Sequence, residues 1–414
     1  MKMLRLERNT ECYLWNSAVV AHFTMFRSLT RRMRRPILRR SQRQRRGTMP
    51  RFLLTTVAFI VIGTSTISFS QAARHSDTRH HGPTLTPQSS GTTNRLQAIS
   101  PVNDRVVWAS GVAGTYTITK NGGRTWESHV MLGAEALQFR DVEGISDKIA
   151  YLLSAGVGTD SRIYKTVDGG LSWTLEFQNQ DPNGFYDCFA FWTPRRGVTM
   201  GDSVSERFPV LRTTDGEFWE DIGNNLPTAQ DGEAAFAASG TCIATQGKRR
   251  AWIGTGGAAK ARIIATTDGG DSWTPYDTPI IQGTGTSGVI SVDFRDARHG
   301  ILGGGELLTP TVFSDTVARS SDGGKTWKLG GRTTFPGAIY GLSYVRTLHR
   351  GDDHGEEEDR RVVATGPSGA SWSPDEGRTW RSLDGLANFW AVAFASPRAG
   401  WLVGTDGRIV KISF

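Results

Sequence analysis

Cysteine is scarce in this chain, with three residues in 414. No Cys-x-x-Cys pair and no clustered Cys/His spacing is present. That excludes a structural zinc site of the usual ligand spacing. A Gly-x-Ser-x-Gly elbow, a phosphate-binding loop and a dinucleotide fingerprint are also missing. Hydrolases and oxidoreductases built on those motifs therefore have no support. No long helical periodicity runs through the chain either, so an all-α or α/β architecture is not indicated. No cofactor and no metal is expected.

Basic charge is scarce too, once the first residues are set aside. The net charge is +8. Residues 1–51 hold 14 Lys+Arg against two acids, and the rest of the chain holds 34 against 38. The body is therefore mildly acidic, and no nucleic-acid partner is expected. The basic segment "RRMRRPILRRSQRQRR" reads as a solvated n-region, or as translated sequence upstream of a start at Met49. The apolar run "FLLTTVAFIVIGTSTISF" (52–69) follows, then the small-x-small sequence Ser70, Gln71, Ala72. That order is a secretory signal peptide, implying export to the periplasm or the extracellular space. An uncleaved anchor is the only membrane attachment considered, because the run is near the lower limit for spanning a bilayer. Residues 1–72 are thus a leader. Residues 73–94 form a polar linker in which His80 and His81 read as solvated. Cys12 leaves with the leader. Cys188 and Cys242 stay in a disulfide-permissive chain, either bridged or as two buried thiols.

What the chain has in abundance is one phrase. It reads "TKNGGRTW" to Trp126, "TVDGGLSW" to Trp173 and "TTDGEFW" to Trp219. It returns as "TTDGGDSW" to Trp273, "SSDGGKTW" to Trp327 and "SPDEGRTW" to Trp380. Successive tryptophans are 47, 46, 54, 54 and 53 residues apart. A period near 50 marks a solenoid or propeller. Between phrases lie short β-branched and aromatic runs split by Gly and Asp turns, such as "IAYLLSAG" and "RIYKT". Four such runs per repeat make the blade of an all-β, seven-bladed β-propeller over residues 95–414. The innermost strands are read at 95–100, 135–141, 186–192, 234–240, 289–296, 339–345 and 390–396. The last repeat stops before any phrase, so the stretch before Arg95 is expected to supply its outer strand and hide an exposed edge.

The phrase is expected to be a turn clasp. Asn121, Asp168, Asp215, Asp268, Asp322 and Asp375 accept turn amides, glycines allow positive φ, and Trp126, Trp173, Trp219, Trp273, Trp327 and Trp380 cover the hairpin base. Ser/Thr-x-Asp-x-Gly-x-Thr-Trp resembles the Asp-box, or BNR repeat. The chain is most similar to Asp-box propellers of the photosystem II stability/assembly factor type and their bacterial relatives, matched by "GVGTDSRIYKTVDGGLSW" over roughly residues 89–414. The resemblance implies a non-catalytic, monomeric scaffold that binds a protein partner. Asp-boxes also occur in sialidases and xyloglucanases, which keeps a glycoside hydrolase, and a glycan ligand, as the alternative.

A ligand would meet the face opposite the clasps, where outer strands lead into the next inner strand. For a hydrolase, Asp202, Glu233 and Glu135 are the candidate carboxyls, and Tyr186 or Tyr340 the candidate phenol. The Arg-Ile-Pro signature of sialidases is absent from the first blade. For partner binding, Arg162, Arg207, Arg262 and Arg408 start the third strand of four blades. They suit a carboxylate, unless each pairs with a nearby acid such as Asp160, Glu206 or Asp406. The insert 346–361, with His349, Asp352, Asp353, His354 and Glu356 to Glu358, reads as a solvated charged loop.

Overall fold

In the second repeat, Thr166 Oγ1 donates to Asp168 Oδ1 at 2.8 Å, and the Ser172 amide donates to the same oxygen at 2.9 Å. Ser172 Oγ donates to Asp168 Oδ2 at 2.6 Å, and the Gly170 amide donates to Thr166 Oγ1 at 2.9 Å. Gly169 and Gly170 take φ of 85° and 90°, which a side chain would resist. The same bonds recur around Asp268, Asp322 and Asp375. Asn121 keeps the acceptor, taking the Thr125 amide at 3.0 Å, while its Nδ2 donates to Thr125 Oγ1. The shortened copy at Asp215 clasps the Glu217 and Phe218 amides instead and leaves the Phe218 ring exposed. These bonds favour the ionised acid, and the Ser172 hydroxyl and amide hold Asp168 down at about 2.

The computed structural model describes residues 82–346 and 360–414. The leader, His80, His81 and the charged part of the insert, including His349, Asp352, Asp353, His354 and Glu356 to Glu358, lie outside the described residues. The described part is seven four-stranded antiparallel sheets arranged as a propeller, with only short 3-10 turns and no α-helix among the described residues. The blades' inner strands are Leu96–Pro101, Phe139–Gly144, Tyr186–Thr193, Ile243–Gln246, Ser287–Phe294, Gly341–Tyr344 and Phe389–Ser396. The outer strand of the seventh blade is Thr84–Gln88, paired antiparallel with Ile409–Ser413. The first described strand therefore closes the ring by completing the four-stranded sheet of the seventh blade.

Six of the seven inner strands overlap the positions expected from sequence, and the fourth does not. Residues 234–240 were read as a strand because they are short, apolar and bounded by Gly. The fourth blade instead begins at Ile243, and 234–240 runs as an irregular strap. Six of the seven are small, and their four alanines and one glycine have little β-propensity of their own, so tertiary contacts decide their path.

The tryptophans do more than cover their own hairpins. Each wedges between its blade and the preceding one. Trp126 packs with Ala391 and Trp401 of blade seven, and Trp173 lies 5.1 Å from Tyr116 of blade one. Trp219 joins Tyr151 and Leu153 of blade two, Trp273 joins Val198 and Met200 of blade three, and Trp327 joins Trp252 of blade four. Trp380 sits beside Ile301 and Val317 of blade five. The remaining gap, between blades six and seven, takes Phe414, 5.3 Å from Trp372. Large rings suit this task because neighbouring blades splay apart with distance from the axis.

Candidate functional site

At the axis, the inner strands carry a shared irregularity. Register shifts by one residue between Leu96 and Ala98, Phe139 and Asp141, and Tyr186 and Cys188. It shifts again between Val289 and Ser291, and between Phe389 and Ala391. In blade six the Tyr340 amide donates to the Thr365 carbonyl, while Gly341 pairs with the same residue. Six blades thus hold one extra residue near the start of the inner strand: Gln97, Arg140, Asp187, Ile290, Tyr340 and Trp390. A bulge re-aims its side chain. The flanking residues show where. Leu96 packs into the core with blade seven and Ala98 into the core with blade two. Tyr186 faces blade two, while Cys188 is disulfide-bonded to Cys242 of blade four, with Cα atoms 6.2 Å apart. The residue between each such pair faces neither neighbour and points to the channel mouth.

The ring is chemically mixed. The Arg95 guanidinium lies 4.6 Å from the centre of the Trp390 ring, and Tyr340 packs edge-on against Trp390 at 5.0 Å. Burial and the neighbouring charge of Arg140 push Arg95 down to about 10. Burial raises the Tyr340 phenol, against the pull of Arg95 and Arg140. Gln97 is fully buried, and neither of its amide atoms has a hydrogen-bond partner among the described residues. An orphaned amide at that depth is costly unless a ligand or water meets it.

Blade four breaks the ring, and the strap takes its place. The Ala235 and Ala237 amides lie beside the Asp202 and Asp187 carboxyls of blade three. Arg140 of blade two donates to the Ala237 carbonyl at 3.2 Å. Ser239 donates to the Tyr340 carbonyl of blade six at 2.6 Å, and Thr241 bonds Ser291 of blade five at 2.8 Å. One short segment reaches the inner strands of blades two, three, five and six only by crossing the axis. Its small side chains are what a narrow channel admits. Gly240 has no alternative, since a Cβ there would collide with the Asp141 carboxylate.

Asp187 and Asp202 lie side by side near the strap. Burial and the Asp202 charge raise Asp187 well above the carboxylate range, and burial lifts Asp202 to about 7. Two carboxyls this close disfavour double ionisation.

The structure does not bring the sequence candidates together. Glu233 is buried and committed to Arg262, to which it is bidentate, and to the Thr255 hydroxyl. Glu135 is exposed and caps the Gly133 amide at 3.1 Å. Tyr186 is buried edge-on against Phe177. Only Asp202 meets another acid, and that acid is Asp187. The four arginines sit in four separate blades, each tied to its own loop. Arg162 donates to the Thr159 carbonyl, and Arg207 pairs with Asp221 at 2.7 Å. Arg408 donates to the Ala387 carbonyl at 2.8 Å. Asp160, Glu206 and Asp406 are not their partners. Sequence reasoning missed Arg95, Arg140, Gln97 and Trp390. Their signal was a polar or bulky residue two or so positions into an apolar inner strand.

No protein-family model matches the chain, and no curated protein matches its sequence. The fold has solved counterparts. YCF48 bound to a D1 peptide superposes with a TM-score of 0.56 at 15% identity, covering 81% of this chain and 96% of that one. YCF48 from Cyanidioschyzon merolae gives 0.55 at 17%, covering 80% and 98%. The WD40 propeller domain of Doa1 gives 0.52 at 12%, covering 80% and 97%. At these identities the likeness establishes a seven-bladed propeller of the kind seen in YCF48.

Proposed function

We propose that this protein is an exported, non-catalytic scaffold that captures a protein partner at the channel mouth, in the manner of an assembly factor. The observation that carries the reading is the ring of bulged inner-strand residues. It concentrates Arg140, Gln97, Tyr340 and Trp390 at one end of the axis, and Arg95, just before the first inner strand, stacks on Trp390 there. Paired guanidiniums with aromatic platforms suit an extended peptide with acidic or carboxylate groups. YCF48, a neighbour in fold, has been solved with a D1 peptide, which supports a peptide as the partner. The bridge between Cys188 and Cys242 supports an oxidising compartment, consistent with the signal-like run at 52–69.

The test is capture of partners from the native envelope by the tagged full chain, followed by the Arg95→Ala, Arg140→Ala double variant. Capture that falls at least about tenfold in a folded variant, and falls with added salt, supports the reading. Undiminished capture by that variant places the partner elsewhere and overturns it.

A further inference from the structure

The strap is held in a particular way. Upstream, Glu233 is pinned by Arg262 and Thr255. Downstream, Cys242 is pinned by its disulfide. Between the pins, past Ala234 with its two backbone bonds to Gly256 and short of Thr241, whose carbonyl accepts from the Val292 amide at 2.9 Å, the strap is held at the mouth through side-chain groups. Gly232 and Gly240 flank it, each with φ of 73°. Phe236 is its one large side chain. Such a segment can bow out of the mouth without unpairing a blade.

The contacts also have a pattern. Arg140 donates to the Ala237 carbonyl, and the Asp202 and Asp187 carboxyls lie beside the Ala235 and Ala237 amides. The mouth therefore meets the backbone of the strap with a donor and with acceptors. Groups of that kind are what a site for a peptide backbone supplies. The side chains at the crossing are alanines, so the mouth reads the backbone and tolerates only small groups there.

We infer that residues 234–241 are a displaceable occupant of the mouth, standing in cis where a partner segment with small side chains binds in exchange. This rests on the mouth being the partner site. It adds that the site is not open but self-occupied, and that partner affinity is reduced by the fraction of molecules with the strap in place.

The experiment has two readouts on the full oxidised chain. Native-state hydrogen exchange compares the Ala235 and Ala237 amides with Leu402, an inner-blade amide far from the strap. A fluorescent synthetic peptide of residues 232–242 is then titrated onto wild type and Ser239→Ala, which loses the bond to Tyr340. The expected result is strap exchange through local opening, about tenfold or more faster than Leu402. Ser239→Ala should speed strap exchange and tighten the peptide by the same factor. Strap amides that exchange only with global unfolding overturn the inference, and the strap is then a fixed plug. Faster exchange in Ser239→Ala with no peptide binding overturns it too. Either failure leaves the partner reading standing, because that reading falls only if the Arg95, Arg140 variant still captures its partner.

Discussion

At the scale of single residues, the repeated aspartate and tryptophan divide the labour of one turn. The aspartate gathers hydroxyl and amide donors of its own hairpin, and the tryptophan reaches across to the preceding blade. Their losses should differ accordingly. Trp273→Ala or Trp327→Ala removes a nearly buried ring between two blades and should cost about 3–5 kcal/mol. Asp268→Ala loses a turn acceptor only and should cost about 1–2 kcal/mol. Thermal melts of the purified variants measure both, and equal losses would erase the distinction. Glu233 offers a sharper case. It is fully shielded and bidentate to Arg262. Glu233→Ala strands that guanidinium and should cost about 3–5 kcal/mol, measurable by urea unfolding. A catalytic carboxylate would instead be lost with little harm to stability.

At the scale of elements, the strand Thr84–Gln88 and the strap are segments that reach beyond their own repeat. The strand completes a blade whose other three strands lie at the far end of the chain. Wedge and strand meet there, since the Trp126 indole donates to Gln88 Oε1 at 3.0 Å. The disulfide ties the inner strand of blade three to the residue before the inner strand of blade four, across 54 residues. Loop closure of that length is worth about 4 kcal/mol on the chain-entropy account. Cys188→Ser with Cys242→Ser should lower the unfolding free energy by that order, read by denaturant titration. A loss below about 1 kcal/mol would mean that native strain or residual structure in the unfolded chain cancels the loop-closure gain.

At the scale of the whole molecule, two populations of acids pull stability in opposite directions. The turn aspartates titrate below their ordinary value, with Asp168 and Asp268 at about 2. Their contribution is present above the ordinary carboxylate range and is lost as pH falls towards 2. The channel acids titrate above it. Burial holds Asp141 and Asp187 up, and lifts Glu143 and Asp202 to about 7. The folded state then binds more protons than the unfolded chain, so stability falls as pH rises from about 4 towards 7. A melting temperature that peaks near pH 4–5 and declines to either side is expected. Asp187→Asn with Asp202→Asn should flatten the neutral limb and leave the acid limb intact. An unchanged neutral limb would remove the buried pair from the account.

The repeat, and with it the seven blades, was legible in the amino-acid order, because a turn clasp needs only residues close in the chain: Asp168, Gly170 and Ser172 lie within five positions. Local chemistry of that kind is visible as a phrase. The amino-acid order also determined which residues could cap a turn and that a tryptophan belonged after each. Only the tertiary structure decided which blade each tryptophan entered, that residues 234–241 crossed the axis and did not line it, and that Arg95, Arg140, Gln97, Tyr340 and Trp390 converged. Those residues are scattered over nearly 300 positions and share no spacing that a single sequence can reveal. They meet because a one-residue bulge recurs where seven strands approach one axis. Proximity there is set by ring closure, and ring closure is a property of the whole chain.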